Sequence, residues 1–261
     1  MQRAPLFLLM ILLAAAALIL LRPGASSSAQ DRDAIAAVSS AAHPAGTDAL
    51  GRDRLVRVAA AMLLGLAGAT AAAAVTTVIA AIVGTLAAFA PSALGGVLLL
   101  VSDTFLALPW LFLLMMVRSG LPLSTSPAQS ATITFLLLAL LGWSTCARAV
   151  HVGAVAVCGA GWMVQGRAAG LRVSRLLGRH ALPHMLPLLI PQFLIAIPAC
   201  LVAEANLGTL GLGVSEPLPS WGSMLLELDN SALLATSRWV YLPIALLITL
   251  LVLLELLATE A

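Results

Sequence analysis

The chain has 261 residues, of which 61% are hydrophobic and 9% charged, and its formal net charge is +2. Ordinary soluble domains are about 25% charged, so too few polar residues are present to cover a soluble globule. An all-α polytopic membrane protein with about six transmembrane helices is predicted. All 13 basic residues are arginine. Without a lysine the chain cannot form a Walker A phosphate loop, so any ATP that drives it binds another chain.

Pro5 to Leu21 is apolar and is followed by Arg22-Pro23-Gly24. As a helix it rises about 25 Å, just enough to cross a bilayer. A secretory signal peptide is the rival reading; the length of the apolar core favours an uncleaved first span over residues 1–22. Residues 23–57 are polar, rich in Ala, Ser and Asp, and too short to bury a core. Within them stands His43-Pro44-Ala45-Gly46-Thr47-Asp48, then Gly51-Arg52-Asp53 and Arg57. This reads as a Gly-containing turn and a lead-in at the membrane surface, with Arg52 and Asp53 in local ion pairs and His43 and Asp48 solvating a loop.

Val58 to Ser102 carries no charge and is too long for one span of about 20 residues. Pro91 and Gly95-Gly96 supply a break, which predicts spans over 60–89 and 96–117. Gly65, Gly68, Ala72 and Gly84 mark a small-residue face suited to close packing in lipid. Asp103 is an intramembrane acid, a functional candidate by default, though a structural hydrogen bond to a neighbouring helix is the plainer reading. Pro109 kinks its span. Arg118 to Ser130 is a polar loop, and Ala131 to Ala147 is a fourth span.

Residues 148–184 form the polar insert of the chain, with Arg148, Arg167, Arg172, Arg175 and Arg179 and no acid. Gly170 breaks a helical pattern and Leu182-Pro183 stops its second half. Charges cost several kcal/mol each in hydrocarbon, so this helix-break-helix lies at the membrane face, open to a soluble partner. Met185 to Ala203 is a fifth span. Residues 204–237 hold Glu204 and Leu210-Gly211-Leu212-Gly213, then Pro217-Leu218-Pro219-Ser220-Trp221-Gly222, a re-entrant or external segment allowed only where protein or water satisfies its backbone. Arg238 to Leu254 is the last span. Cys146, Cys158 and Cys200 lack metal-ligand spacing and read as small packing residues.

Three of these stretches resemble one family. Gly170 followed by His180-Ala181-Leu182-Pro183 resembles the "EAA" loop of binding-protein-dependent ABC importer permeases, with Val164-Gln165-Gly166 at the E-A-A positions and His184 at the final Asn. The run from His43 to Arg57 is similar to the H-P-x-G-T-D-x-x-G-R-D-x-x-x-R of the C-type permeases of dipeptide, oligopeptide and nickel importers. Glu204 to Gly213 and Pro217 to Leu225 resemble that family's E-x-x-L-x-x-L-G-L-G and P-x-P-S-W-G-x-M-L. The resemblance implies a type I ABC importer permease fold, with an ABC transmembrane domain over 58–257, in a bacterial inner membrane. It also implies an ATPase-docking loop carrying Gln165, Gly166, Arg167, Gly170, Arg175, His180 and Pro183. Asp103, Glu204 and Trp221 are pathway or gate candidates.

The implied partners are a second homologous permease, two ATPase subunits or one fused ATPase, an extracytoplasmic substrate-binding protein and membrane lipid, with no nucleic acid. The chain itself is expected to bind no cofactor and to catalyse nothing, with ATP on the partner ATPase. The arginines divide almost evenly between the two sides, so placing both chain ends and the loop in the cytoplasm follows from the resemblance. A permease subunit of an ATP-driven di/oligopeptide importer is the leading reading. The alternatives are a degenerate permease with weak coupling, since E-A-A is lost, and an ion-coupled secondary carrier. A membrane-embedded enzyme would need paired ionisable groups at one depth, and only Asp103 and Glu204 are available.

Overall fold

The structure, a computed structural model, describes residues 4–120 and 126–260. Residues 121–125, inside the predicted Arg118–Ser130 loop, lie outside the described residues. Those described are helical, apart from loops and one isolated bridge between Thr47 and Asp53. The helices are α1 (Ala4–Leu20), α2 (Arg54–Phe89), α3 (Ser92–Ala107), α4 (Trp110–Ser119), α5 (Pro127–Leu141), α6 (Trp143–Cys158) and α7 (Gly161–Ala168). They continue as α8 (Val173–Leu176), α9 (Leu182–Thr209), α10 (Trp221–Leu225), α11 (Ser231–Thr236) and α12 (Leu242–Glu260).

Four helical stretches among the described residues are long and apolar enough to cross a membrane: Arg54–Phe89, Pro127–Cys158, Gly178–Thr209 and Arg238–Glu260. α3 and α4 make a fifth if counted as one span, although the chain bends by 81° between them. The expected kink at Pro109 is therefore a full break: Leu108 and Pro109 are extended, and Pro109 stands just before α4. α1 is apolar but only 17 residues long, so six spans result only if it crosses as well.

α2 is the axis of the bundle, packing against α1, α3, α5, α6, α9, α10 and α12. Lipid offers no hydrophobic drive between helices, so close approach of small residues does the work. A β-carbon on Gly84 would stand 2.6 Å from the Ala147 carbonyl oxygen, and one on Gly68 would overlap the Phe135 ring. Thr76 donates to the Ala139 carbonyl at 3.2 Å, tying α2 to α5. Ala69, Ala72, Ala73, Leu138, Leu201 and Leu250 are among the residues closing the main core.

Three predicted boundaries move. The 148–184 insert begins inside a helix, because α6 continues through Arg148 to Cys158; a helix satisfies its own backbone and can project past the lipid. Pro183 does not end a helix. It stands just after a π-turn at Leu177–Ala181 that carries the helix from α8 into α9, and the wider turn accommodates its missing N–H. At the other edge Glu204 does not begin a non-helical segment: it lies inside α9, which runs on to Thr209.

The two ends of the bundle differ. At one end residues 23–53, the α4 terminus and residues 210–230 meet. Arg118 donates from Nε to the Leu212 carbonyl (3.0 Å) and from Nη2 to the Gly213 carbonyl (2.9 Å) and the Ser130 hydroxyl. At the other end Phe89, at the close of α2, packs on the 160–181 loop.

Candidate functional site

The loop is a V of two helices on a small core of its own. Met163, Leu176 and Ala181 are buried there, backed by Phe89, Val157, Ala160, Trp162 and Leu171. α7 ends in a Schellman turn: the Leu171 N–H bonds the Gly166 carbonyl (3.1 Å) and the Gly170 N–H bonds the Arg167 carbonyl (3.0 Å). Gly170 has φ +75°, a conformation costing an L-residue roughly 1–2 kcal/mol. This is the break anticipated at Gly170, and it sets the angle between α7 and α8.

The predicted docking residues fall into two groups. Gln165, Arg167, Gly170, Arg175, His180 and Pro183 are exposed. Gly166 instead faces inward, and a β-carbon there would stand 2.7 Å from Leu176 Cδ2; it lets α7 and α8 close on each other. Arg167 lies over the Phe89 ring at 5.6 Å, a cation–π contact that links the loop to the end of α2. Trp162 stacks on His184 at 4.6 Å, linking it to α9. The loop is thus braced against three long helices while presenting Val164, Arg167, Arg172, Arg175 and Arg179 outward. No acid stands between Asp103 and Glu204, so nothing nearby on this stretch neutralises the face.

A cavity of about 370 Å³ lies within the bundle, lined from α2 by Thr76, from α3 by Phe105 and Leu106, from α6 by Ser144, Thr145 and Cys146, and from α9 by Gln192 and Cys200 among others. Its described lining has no acidic or basic side chain. The helix irregularities converge here: Leu108 at the α3–α4 break and Gly142 at the α5–α6 joint both line it.

The three gate candidates separate. Asp103 stands near the cavity, in an ion pair with Arg148 of α6 (3.3 Å). Glu204 and Trp221 do not line the cavity. Glu204 is 1% exposed and faces Ser220 and the backbone of Trp221 and Gly222, with neither oxygen in a hydrogen bond of standard geometry. Trp221 is fully buried against Leu201 in a notch opened by Gly65. Both side chains pack α10 onto α9 and α2.

At the end opposite the loop, the His43–Arg57 stretch is a folded, charge-paired cap and not a solvated loop. Asp48 is 3% exposed and accepts Arg52 Nε at 2.6 Å and the Leu50 and Arg52 amides, each at 2.9 Å. Arg52 and Arg57 both reach Glu216, at 2.7 and 2.8 Å, and Arg54 reaches Glu227 at 2.8 Å. Asp53 caps α2 through the Val56 amide (3.0 Å) and holds His43 Nδ1 at 2.9 Å. The hydrogen bond to Asp53 raises the His43 pKa above its ordinary 6.5, against a lowering by burial, and Asp31 adds to the rise. Gly51 (φ +75°) brings this turn so close to the Asp31 backbone that a β-carbon would overlap its carbonyl oxygen. Glu216 and Glu227 lie more than 150 residues away in sequence, so local reading pairs Arg52 only with its neighbours.

Residues 78–259 match the family described as binding-protein-dependent transport system inner membrane component. Among curated relatives, an oligopeptide transport system permease protein of Bacillus subtilis is 28% identical over 182 residues, covering 70% of this chain and 58% of that protein. A dipeptide transport system permease protein of the same organism is 28% identical over 187 residues, 71% of this chain and 56% of its own. A di/tripeptide transport system permease protein of Pseudomonas aeruginosa is 29% identical over 180 residues, 69% of this chain and 57% of its own. The chain therefore spans somewhat under three-fifths of the length of these relatives. Its apolar helices, its braced loop and this match together show that the chain belongs to the family of binding-protein-dependent transport system inner membrane components.

Proposed function

We propose that the chain is a permease subunit of an ATP-driven importer for di- and oligopeptides, contributing one half of the translocation pathway. The observation that carries this is the loop: an exposed cationic V with its own core, braced on α2, α6 and α9. A soluble ATPase gripping that V moves three long helices at once, and those helices line the cavity. Coupling then amounts to differential stabilisation of two arrangements of the bundle. ATP is bound and hydrolysed on the partner; this chain supplies the contact and the pathway. The loss of E-A-A at Val164-Gln165-Gly166 removes an acid from the face and leaves the elbow intact, which favours a working coupling loop over a degenerate one. Peptide cargo is supported by the names of the relatives and by an uncharged cavity lining, which binds neither sign of a zwitterion tightly.

The cap end faces the extracytoplasmic binding protein in this reading, and a second homologous permease completes the pathway. The test is co-purification. A tagged chain, expressed with its neighbouring genes, is expected to bring down an ATPase and a second permease in fixed ratio. Isolation of this chain alone, stable and with its loop resistant to protease, would refute the subunit reading.

A further inference from the structure

Asp103 and Arg148 occupy a particular place relative to the cavity. Asp103 stands one helical turn before Leu106, and Arg148 one turn after Thr145, and residues three apart share a helix face. Leu106 and Thr145 line the cavity, so the pair stands on the two lining faces at one end of it. That end faces the loop. α6 runs from Arg148 to Cys158 and on into α7, while α3 starts at Ser92 beside Phe89, which packs on the loop core. The Ser102 hydroxyl donates to the Ser144 carbonyl at 3.3 Å, and Phe105 packs on Trp143 at 5.3 Å, so the same two helices are held in register beside the pair.

Every other ion pair among the described residues belongs to the cap at the far end. This one alone joins two helices of the apolar bundle. Its side chains are 44% and 50% exposed, which matters for its use. A fully buried pair leaves a stranded charge when broken, whereas protein does not seal this pair, and at the loop-facing end of a cavity read as the pathway both groups rehydrate when it parts. Such a contact can be made and broken repeatedly.

We propose that the Asp103–Arg148 ion pair latches α3 to α6 across the loop-facing end of the cavity, holding that end closed, and that it parts when the loop draws α6 aside. The inference rests on the permease reading for the identity of the cavity as pathway and of the loop as its lever.

The test reads access to the cavity, not transport. A chain carrying C146S, C158S and C200S, with A199C placing one thiol on an exposed lining position of α9, is expressed with its neighbouring genes. Inside-out membrane vesicles are then treated with a membrane-impermeant cationic thiol reagent. D103N and R148Q are each expected to raise the labelling rate about two- to fivefold, the population shift that a half-exposed pair supplies. The swapped chain D103R/R148D is expected to return to the parent rate. Electrostatic steering of the reagent alone would push the two single variants in opposite directions, and that result, or no change in either, overturns the latch. Should D103N fail to accumulate, R148Q against the swapped chain decides the matter: equal fast labelling of both overturns it. Adding ATP with vanadate to the parent tests the permease reading separately. Labelling that ignores nucleotide counts against ATP coupling and leaves the effect of the pair readable.

Discussion

Glu216→Ala is the sharpest probe of how the cap is held. Glu216 is the shared acceptor of Arg52 (2.7 Å) and Arg57 (2.8 Å). Truncation leaves Arg57, which is 1% exposed, with Asp48 at 3.6 Å and the Ser27 carbonyl at 3.2 Å. A hydrogen bond to a charged group contributes about 1.5–3 kcal/mol, and stranding a buried partner costs about 3–5 kcal/mol. Glu216 itself is half exposed, so water replaces part of what is lost, and about 2 kcal/mol is the appropriate figure. The cap opens locally, without unfolding the bundle. The amides of Thr47, Asp48, Arg52 and Arg54, which bond to the Ala37 carbonyl, the Arg52 carbonyl, Asp48 Oδ1 and the Gly46 carbonyl, report that opening. Their hydrogen exchange in detergent or nanodiscs is expected to accelerate roughly thirtyfold, the factor equivalent to about 2 kcal/mol. Raising salt to about 1 M, where the screening length falls to about 3 Å, is expected to change the wild type little. Acceleration below about threefold would refute the argument and class these pairs with ordinary surface ion pairs.

Gly170→Val forces a β-branched residue into φ +75°, straining the turn by at least about 1–2 kcal/mol; insertion into the membrane is expected to be normal while ATPase-dependent peptide uptake falls at least tenfold, and normal uptake would remove the coupling role of the loop. The cap is expected to weaken in alkali: His43 has a raised pKa, so its contribution is fully present below about pH 6.5 and is lost as pH rises through the folded value. Protection factors of the Asp31–Asp53 stretch, taken against the intrinsic exchange rate at each pH, should fall over that window in the wild type, and His43→Gln should abolish the fall. Gly84→Leu drives a side chain into the Ala147 carbonyl. Overpacking of this kind costs about 1–3 kcal/mol, read as a lower melting temperature in detergent, with Gly96→Ala, which meets nothing within 4 Å, as the neutral control.

Much of this protein is legible from its sequence, for definite reasons. Lipid imposes length and apolarity on a spanning helix, so the uncharged run from Val58 to Ser102 announces at least two helices and the arginines of 148–184 announce an exposed insert. Gly170 is legible because few residues accept a left-handed turn. What local pattern cannot carry is depth and long-range pairing. α6 continues past Arg148 to Cys158, and no composition shift in the sequence marks where that helix ends. Pro183 reads as a stop from its ring alone, yet the π-turn at Leu177–Ala181 carries the helix past it. Glu204 and Trp221 stand in motifs suggestive of a gate, and only the fold shows them turned away from the cavity toward α10 and α2. The partners of Arg52, Arg54 and Arg57 lie on Glu216 and Glu227, and Asp103 meets Arg148. Such pairs arise because close packing of small residues along α2 brings distant segments to the same end of the bundle. Sequence alone thus determines that the chain is a helical membrane permease component with an exposed elbow. Tertiary structure decides which charges meet, since contact between distant residues depends on how the helices pack and on no property of either residue's neighbours.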